Sequence, residues 1–439
     1  MSIQVEERPF EPPALTPTIQ AANFWHLYWD VAWYGVVYGS TLSFLAVYAT
    51  HLDATGWQIG LLSAGPALIN IFFTLPAGRW VEQQTLDRAV VTTAFWQRLG
   101  FFLMIPLPLL LPDAYKVWVI LSLTLLMAIP GTALAISFNA LLATCVPPEH
   151  RGRVVGRRNA LLAGAIMVTF VLSGRILDTL PFAWGYATVF IIGAVGGGLS
   201  TYHLTRIQAP PIPQFQMRPL QDTAQPGRVI GLSGDIPSRF YTAMRLWLRW
   251  RPGKEGVAQS IGPRYRWAML AFFFFHFTQF LPQPLFPILW VRHVKLTDGE
   301  IGWINAFFYL TMLLMASFLE PLTKRLGNHR LTAIGSVLLS SYPLLNSLSY
   351  NFTLLLITNI AGALNWAILS GALVNRLLEL TPADKRSAHL AVYNLVLNVA
   401  TLCGTMLGPL LAEFTGLREA LLIMFVLRVC SGLAMARWG

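Results

Sequence analysis

Asp30, Tyr34 and Tyr38 recur at i, i+4 and i+8 within an otherwise apolar run, a spacing that predicts one acid and two phenols on a single helix face. An acid held in apolar surroundings gains proton affinity, which suits a proton-coupling site or a counter-charge for a cationic ligand. Arg98, in a separate apolar run, supplies the alternative: a partner that would make Asp30 structural. The shallow position of Asp30 in its run predicts partial solvation. His276, Gln279 and Gln283 stand at i, i+3 and i+7 beside Pro282, Pro284 and Pro287. A histidine there could relay a proton, or sit hydrogen-bonded in a core next to Phe272–Phe275. Asn305, Asn365, Asn394 and Asn398 place amides in further apolar runs, where they either line a cavity or tie helices together. Arg175 and Asp178, at i and i+3, are expected to pair locally. Each charge in such a run costs about 2.5–3.5 kcal/mol to place in a bilayer, so each needs a reason.

Other chemistries find no support. The sequence has no G-x-x-x-x-G-K-[ST] loop and no nucleophile–base arrangement, and its three cysteines, Cys145, Cys403 and Cys430, lack metal-ligand spacing. Neither an enzyme nor a cofactor, nor a resident metal, is expected.

These residues must be positioned by membrane helices. Of 439 residues, 55% are hydrophobic and 12% charged, about half the charged share of a soluble domain. Apolar runs near 20 residues, long enough to span a bilayer, fall at 24–48, 57–81, 88–111, 116–142, 155–178 and 182–204. A second set falls at 266–291, 298–322, 330–349, 352–378, 387–413 and 417–437. The net charge of +11 sorts by side: 24 basic residues fall on the N-terminal side of the runs and four on the other. Positive charge inside places both termini in the cytoplasm and makes the basic excess topology rather than nucleic-acid binding. The N-terminus, with Glu6, Glu7 and Glu11, reads as no signal peptide. The reading is an all-α, multi-pass chain of the plasma (inner) membrane.

The runs divide into a six-helix bundle over 1–205, a proline-bearing cytoplasmic linker over 206–265, and a second six-helix bundle over 266–439. Within the linker, Phe240, Tyr241, Met244, Trp247 and Leu248 share one helical face opposite Arg239, Arg245 and Arg249, predicting an amphipathic helix on an anionic lipid surface. The bundles repeat one another. At an offset of 242, His51, Thr55, Ile59 and Gly60 fall on His293, Thr297, Ile301 and Gly302. At 235, Pro147, Arg151, Asn159, Leu162 and Ala165 fall on Pro382, Arg386, Asn394, Leu397 and Ala400, with Asp178 on Glu413. Parallel repeats about an axis normal to the membrane, with a site between them, are a transporter architecture.

The turn Val146-Pro147-Pro148-Glu149-His150-Arg151-Gly152-Arg153-Val154-Val155-Gly156 resembles the P-x-x-R-G-x-x-x-G stretch of the major facilitator superfamily. After the second run, Gly78 and Glu82 match that family's G-x-L-x-D-R-x-G-R-R signature, while Gln83 and Thr85 depart from it. In the second half Leu322, Arg325 and Gly327 match and Lys324 takes the acidic position. The resemblance implies two pseudo-symmetric six-helix bundles, alternating access about a midplane cavity, and a gating role for Gly78, Glu82, Arg151, Gly152, Arg325 and Gly327. It also puts the face of Asp30 beside that cavity. The family's drug–proton exporters carry an arginine in the fourth span and a G-P-x-x-G-G run in the fifth. This chain has Ser173-Gly174-Arg175-Ile176-Leu177-Asp178 at the latter and no arginine in the former. The expectation is a monomeric secondary transporter of a small organic solute, with proton coupling left open. A non-transporting receptor or assembly factor of the same fold is the alternative.

Overall fold

In the computed structural model, residues 16–209, 262–316, 318–381 and 386–439 are described; the amphipathic segment at 239–249 lies outside them. Every regular element among the described residues is helical. The first half contains α1 (Pro17–Val37), a π-helical turn (Tyr38–Leu42), α2 (Ser43–His51), α3 (Gly56–Glu82), α4 (Leu86–Met104), α5 (Leu107–Leu110), α6 (Asp113–Cys145), α7 (Pro148–Thr179) and α8 (Phe182–Thr205). The second contains α9 (Pro263–Phe280), α10 (Leu285–Ile288), a π-helical turn (Leu289–His293), α11 (Asp298–Ala316), α12 (Leu319–Leu326), α13 (Asn328–Leu338), α14 (Ser341–Ser347), α15 (Phe352–Glu379), α16 (Arg386–Thr415) and α17 (Leu417–Trp438).

Ten helices among the described residues are long and apolar enough to cross a membrane, counting α1–α2 and α4–α5 as single rods. The runs at 266–291 and 330–349 are instead broken. Pro282 and Pro284 cannot donate to the helix ladder, so α9 stops at Phe280 and the chain turns before α10. The other run breaks at Leu339 and Ser340, between α13 and α14. Only 22–56% of each apolar window is buried within the protein, which leaves rings such as Phe72, Trp184 and Phe414 facing outward. Apolar surface on that scale requires lipid around it.

Starts and stops follow local chemistry. Thr55 and Gln58 form a capping box at the start of α3, the Gln58 side chain accepting from Thr55 N–H at 2.8 Å. Thr297 and Glu300, one repeat later, do the same at α11, with bonds of 2.9 and 3.2 Å. Gly327 ends α12 with φ +76°, a conformation that side-chain-bearing residues rarely adopt.

The repeat is also visible where the halves meet. A Cβ on Gly60 would lie 2.7 Å from the Thr405 carbonyl, and one on Gly302 would lie 2.6 Å from the Phe170 carbonyl. Shifting the first pair by the sequence offsets, 242 for Gly60 and 235 for Thr405, generates the second. The same operation relates the approach of Gly56 to Pro409 with that of Gly174 to the Asp298 carbonyl, at 2.7 and 2.8 Å. Two equivalent strips, α3 on α16 and α7 on α11, therefore close the end of the molecule remote from both termini. The glycine run of α8 has a comparable function within the first half: Gly193 and Gly196 admit Thr41 and the Trp33 carbonyl of the first rod.

Candidate functional site

Asp30 lies on the thirteenth residue after Pro17, roughly 20 Å along a helix that begins well before the predicted position. It is consequently buried, with 4% exposure, rather than partly solvated. Two guanidiniums flank it. Arg158 Nη2 donates to Oδ2 at 3.2 Å, and Arg98 Nη2 approaches Oδ1 at 3.8 Å. Ser200 Oγ donates to Oδ1 at 2.6 Å and itself accepts from Arg98 Nη2 at 2.7 Å. The sequence offered Arg98 as a partner for Asp30, whereas Arg158, at the edge of the predicted run 155–178, was counted among the 24 basic residues of the N-terminal side. Helix α7 begins at Pro148, not near 155, so Arg158 is ten residues inside it and turned inward, with its guanidinium 4.6 Å from the Phe138 ring centroid. Its signal was a recurrence seven residues after Arg151, beside Asn159, indistinguishable from a surface charge without the helix start.

Asp30, Arg98 and Arg158 line a cavity of about 170 Å³ within the first half, together with Tyr34, Gln97, Asn139 and Asn159 and a wall that includes Phe138, Leu142 and Leu162. Tyr34 joins Asp30 as predicted, its ring 6.0 Å from the Arg98 guanidinium carbon. Tyr38 does not. Eight residues advance a helix by about 80° beyond two turns, and Tyr38 opens the π-helical turn. It faces the other half instead, its ring 6.2 Å from that of Tyr309.

The second-half residues do not join this cavity. His276 is buried, its Nε2 3.0 Å from the Tyr393 hydroxyl and its ring packed against Phe272 and Phe275. Gln279 keeps a buried Oε1 without a partner, whereas Gln283 is exposed in the turn after α9, so the predicted common face ends where the helix does. Asn305 and Asn398 donate to carbonyls one turn back in their own helices, at 2.9 and 2.8 Å. Asn365 ties α15 to the α13–α14 break, donating to the Leu338 carbonyl at 3.1 Å.

Among the predicted gating residues, Arg151 has a defined local task. Its guanidinium donates to the carbonyls of Ala143 and Val146 at 2.7 and 3.1 Å, satisfying groups that the end of α6 leaves without partners. Gly78 and Glu82 occupy the last turn of α3, Arg325 is exposed in α12, and a Cβ on Gly152 would meet nothing within 4 Å.

The far-end seam carries a further polar set. His51 Nε2 lies 3.1 Å from Asp298 Oδ1, and the Tyr186 hydroxyl donates to Asp298 Oδ2 at 3.1 Å. Arg292 donates to the carbonyls of Thr50 and Ala54 at 3.0 and 2.8 Å. Asp178 accepts from Gly299 N–H at 2.9 Å and from Thr297 Oγ1 at 3.1 Å. Its expected partner was Arg175, yet no such ion pair occurs among the described residues. The unpaired N–H groups and positive dipole end of α11 hold the carboxylate instead.

A twofold repeat, a glycine-lined seam and buried charge inside one half fit a single description. The sequence profile of the family described as "Major Facilitator Superfamily" matches residues 32–250 and 268–439. The chain belongs to that superfamily. The quinolone resistance protein NorA of Staphylococcus aureus is 20% identical over 130 residues, a match spanning 30% of this chain and 33% of the relative. Among solved superfamily folds, a bacterial homologue of the iron transporter ferroportin in an inward-facing state aligns with TM-score 0.69 at 11% identity, covering 97% of this chain and 99% of the other. The xylose transporter XylE from E. coli, partially occluded and inward-open, aligns with TM-score 0.66 at 11% identity, covering 95% and 98%. These likenesses establish the superfamily fold, a membrane-embedded helical chain that is not an enzyme.

Proposed function

We propose that the protein is a secondary transporter of a small organic solute, in which the halves 16–209 and 262–439 rock against each other to expose a site alternately to each side of the plasma membrane. The observation that carries this reading is the far-end seam. It joins the halves through side-chain hydrogen bonds and glycine contacts between helices, beside ring contacts such as Phe170 on Tyr309, and such strips can separate and re-form as units. Membership of the superfamily and the transporters among its solved folds support the same conclusion. With both termini in the cytoplasm, the seam seals the outer face.

The test uses a chain in which Cys145, Cys403 and Cys430 are replaced and His51→Cys is combined with Asp298→Cys. Counterflow of solute in proteoliposomes is expected before treatment, to stop when a short cleavable bifunctional thiol reagent bridges the pair, and to return on cleavage. Full exchange in the bridged protein would refute alternating access across this seam. No exchange by the wild type with any small solute would favour a non-transporting receptor.

A further inference from the structure

We infer that the cavity of the first half binds a small organic monoanion through a carboxylate, held by Arg98 and Arg158; this deepens the transporter reading and names its class of substrate. The charge count comes first. Both guanidiniums stay protonated under any condition a cell offers, and Asp30 is the only acid among the lining residues. The chamber therefore holds two positive charges against one negative, in a region where charge without a partner is strongly disfavoured.

The hydrogen-bond count points the same way. Arg98 is 4% exposed, yet its Nε and Nη1 have no acceptor, and Nε of Arg158 also has none. Asp30 and Ser200 occupy only the Nη2 nitrogen of each arginine. A guanidinium grips a carboxylate in two parallel bonds through Nε with Nη2 or through Nη1 with Nη2, and on Arg98 each of these edges keeps one donor, Nε or Nη1, without a partner. Buried donors of this kind are normally satisfied, so these are satisfied when an acceptor enters the cavity.

Shape and charge narrow the class. At about 170 Å³ the space is well below the roughly 300–1,000 Å³ of pockets for drug-sized molecules, which favours a compact solute. Phe138, Leu142, Leu162 and Leu204 supply an apolar wall for a short hydrocarbon body. One surplus positive charge is balanced by a carboxylate rather than by a doubly charged phosphate monoester. A cationic ligand, which Asp30 alone suggested, would have to displace both arginines. Asp30 is thus a positioning residue: with Ser200 it holds the two guanidiniums apart and oriented.

The test is isothermal titration of purified full-length protein in nanodiscs with butyrate and benzoate, their neutral amides, benzylamine, and phenyl phosphate. The carboxylates are expected to bind at least tenfold more tightly than the amides and the amine, and more tightly than the phosphate. Arg98→Gln is expected to weaken benzoate at least tenfold. Asp30→Asn, nearly isosteric, is expected to tighten it, a gain that misfolding cannot imitate. Preference for benzylamine, absence of carboxylate binding to the wild type, or weaker benzoate binding in folded Asp30→Asn would each overturn the inference. Tighter binding of phenyl phosphate would overturn the monoanion assignment. Counterflow separates the two readings. Benzoate that binds without exchange refutes transport alone, whereas exchange of neutral solutes that Arg98→Gln leaves intact refutes the anion site alone.

Discussion

Replacing Gly302 with alanine should move the conformational balance of the whole molecule. The added Cβ would lie 2.6 Å from the Phe170 carbonyl and 3.3 Å from Gly174 Cα, whereas ordinary contact begins near 3.4 Å. Both neighbours are backbone, so no side chain can swing aside, and relief requires the seam to part by roughly 0.8 Å at that point. Overpacking of this kind costs about 1–3 kcal/mol. The cost falls only on the state in which the far end is closed, since the strips separate in the other. The better helix propensity of alanine, up to about 1 kcal/mol, applies in both states and cancels. A differential of 1–3 kcal/mol shifts the equilibrium about 5- to 150-fold. The assay is labelling of Ala54→Cys, buried at the far end, by a membrane-impermeant maleimide in an otherwise cysteine-free chain. Gly156→Ala is the control, because a Cβ there meets nothing within 4 Å. The labelling rate should rise 5- to 150-fold with Gly302→Ala and stay constant with Gly156→Ala. An unchanged rate in folded Gly302→Ala would show that the strip does not govern closure.

Two further substitutions separate local architecture from transport. Arg151→Ala should lower thermal stability by about 1 kcal/mol through loss of the α6 cap, with Arg151→Lys recovering part of it; transport lost at unchanged stability would instead make Arg151 a gate. Thr297→Ala should cost about 1 kcal/mol at the α11 capping box and also raise Ala54→Cys labelling, because the same hydroxyl donates to Asp178 across the seam. Lost stability with unchanged labelling would confine Thr297 to its own helix.

Most of the scaffold was legible in the sequence because bilayer length and a twofold repeat each leave a strong linear trace. The offsets of 242 and 235 even relate the two packing strips, since glycine at a helix contact is retained by backbone proximity. The site was legible only in part. Asp30 and Tyr34 are one helical turn apart, and their shared cavity follows from local geometry. Arg158 was misplaced because an apolar run marks where lipid begins, not where a helix begins, and α7 starts seven residues before the predicted span. Tyr38 and Gln283 failed for a related reason. Helical spacing loses its meaning beyond two turns or across a break, and a π-helical turn or a proline cluster resets the face. The partner of Asp178 could not be read at all, because a helix N-terminus from the other half competes with the neighbouring arginine and wins through its free N–H groups.

The duplicated strips differ in one respect that bears on how the molecule opens. On the α7–α11 side, Asp178 bolts the strip shut across the halves. Its counterpart in the repeat, Glu413, is exposed beside the α3–α16 strip, where no equivalent contact to the start of α3 occurs among the described residues. Parting the first strip means breaking the Asp178 bonds as well as packing, while the second strip itself holds by packing, with Arg292 bonding the Thr50 and Ala54 carbonyls just before α3. Two leaves of a door cut from one pattern have thus come to differ, with the bolt on one and the swing on the other. On the alternating-access reading, opening at the α7–α11 strip has to break the Asp178 bonds, so a carboxylate more than a hundred residues from the α11 terminus it grips adds to the cost of opening on that side.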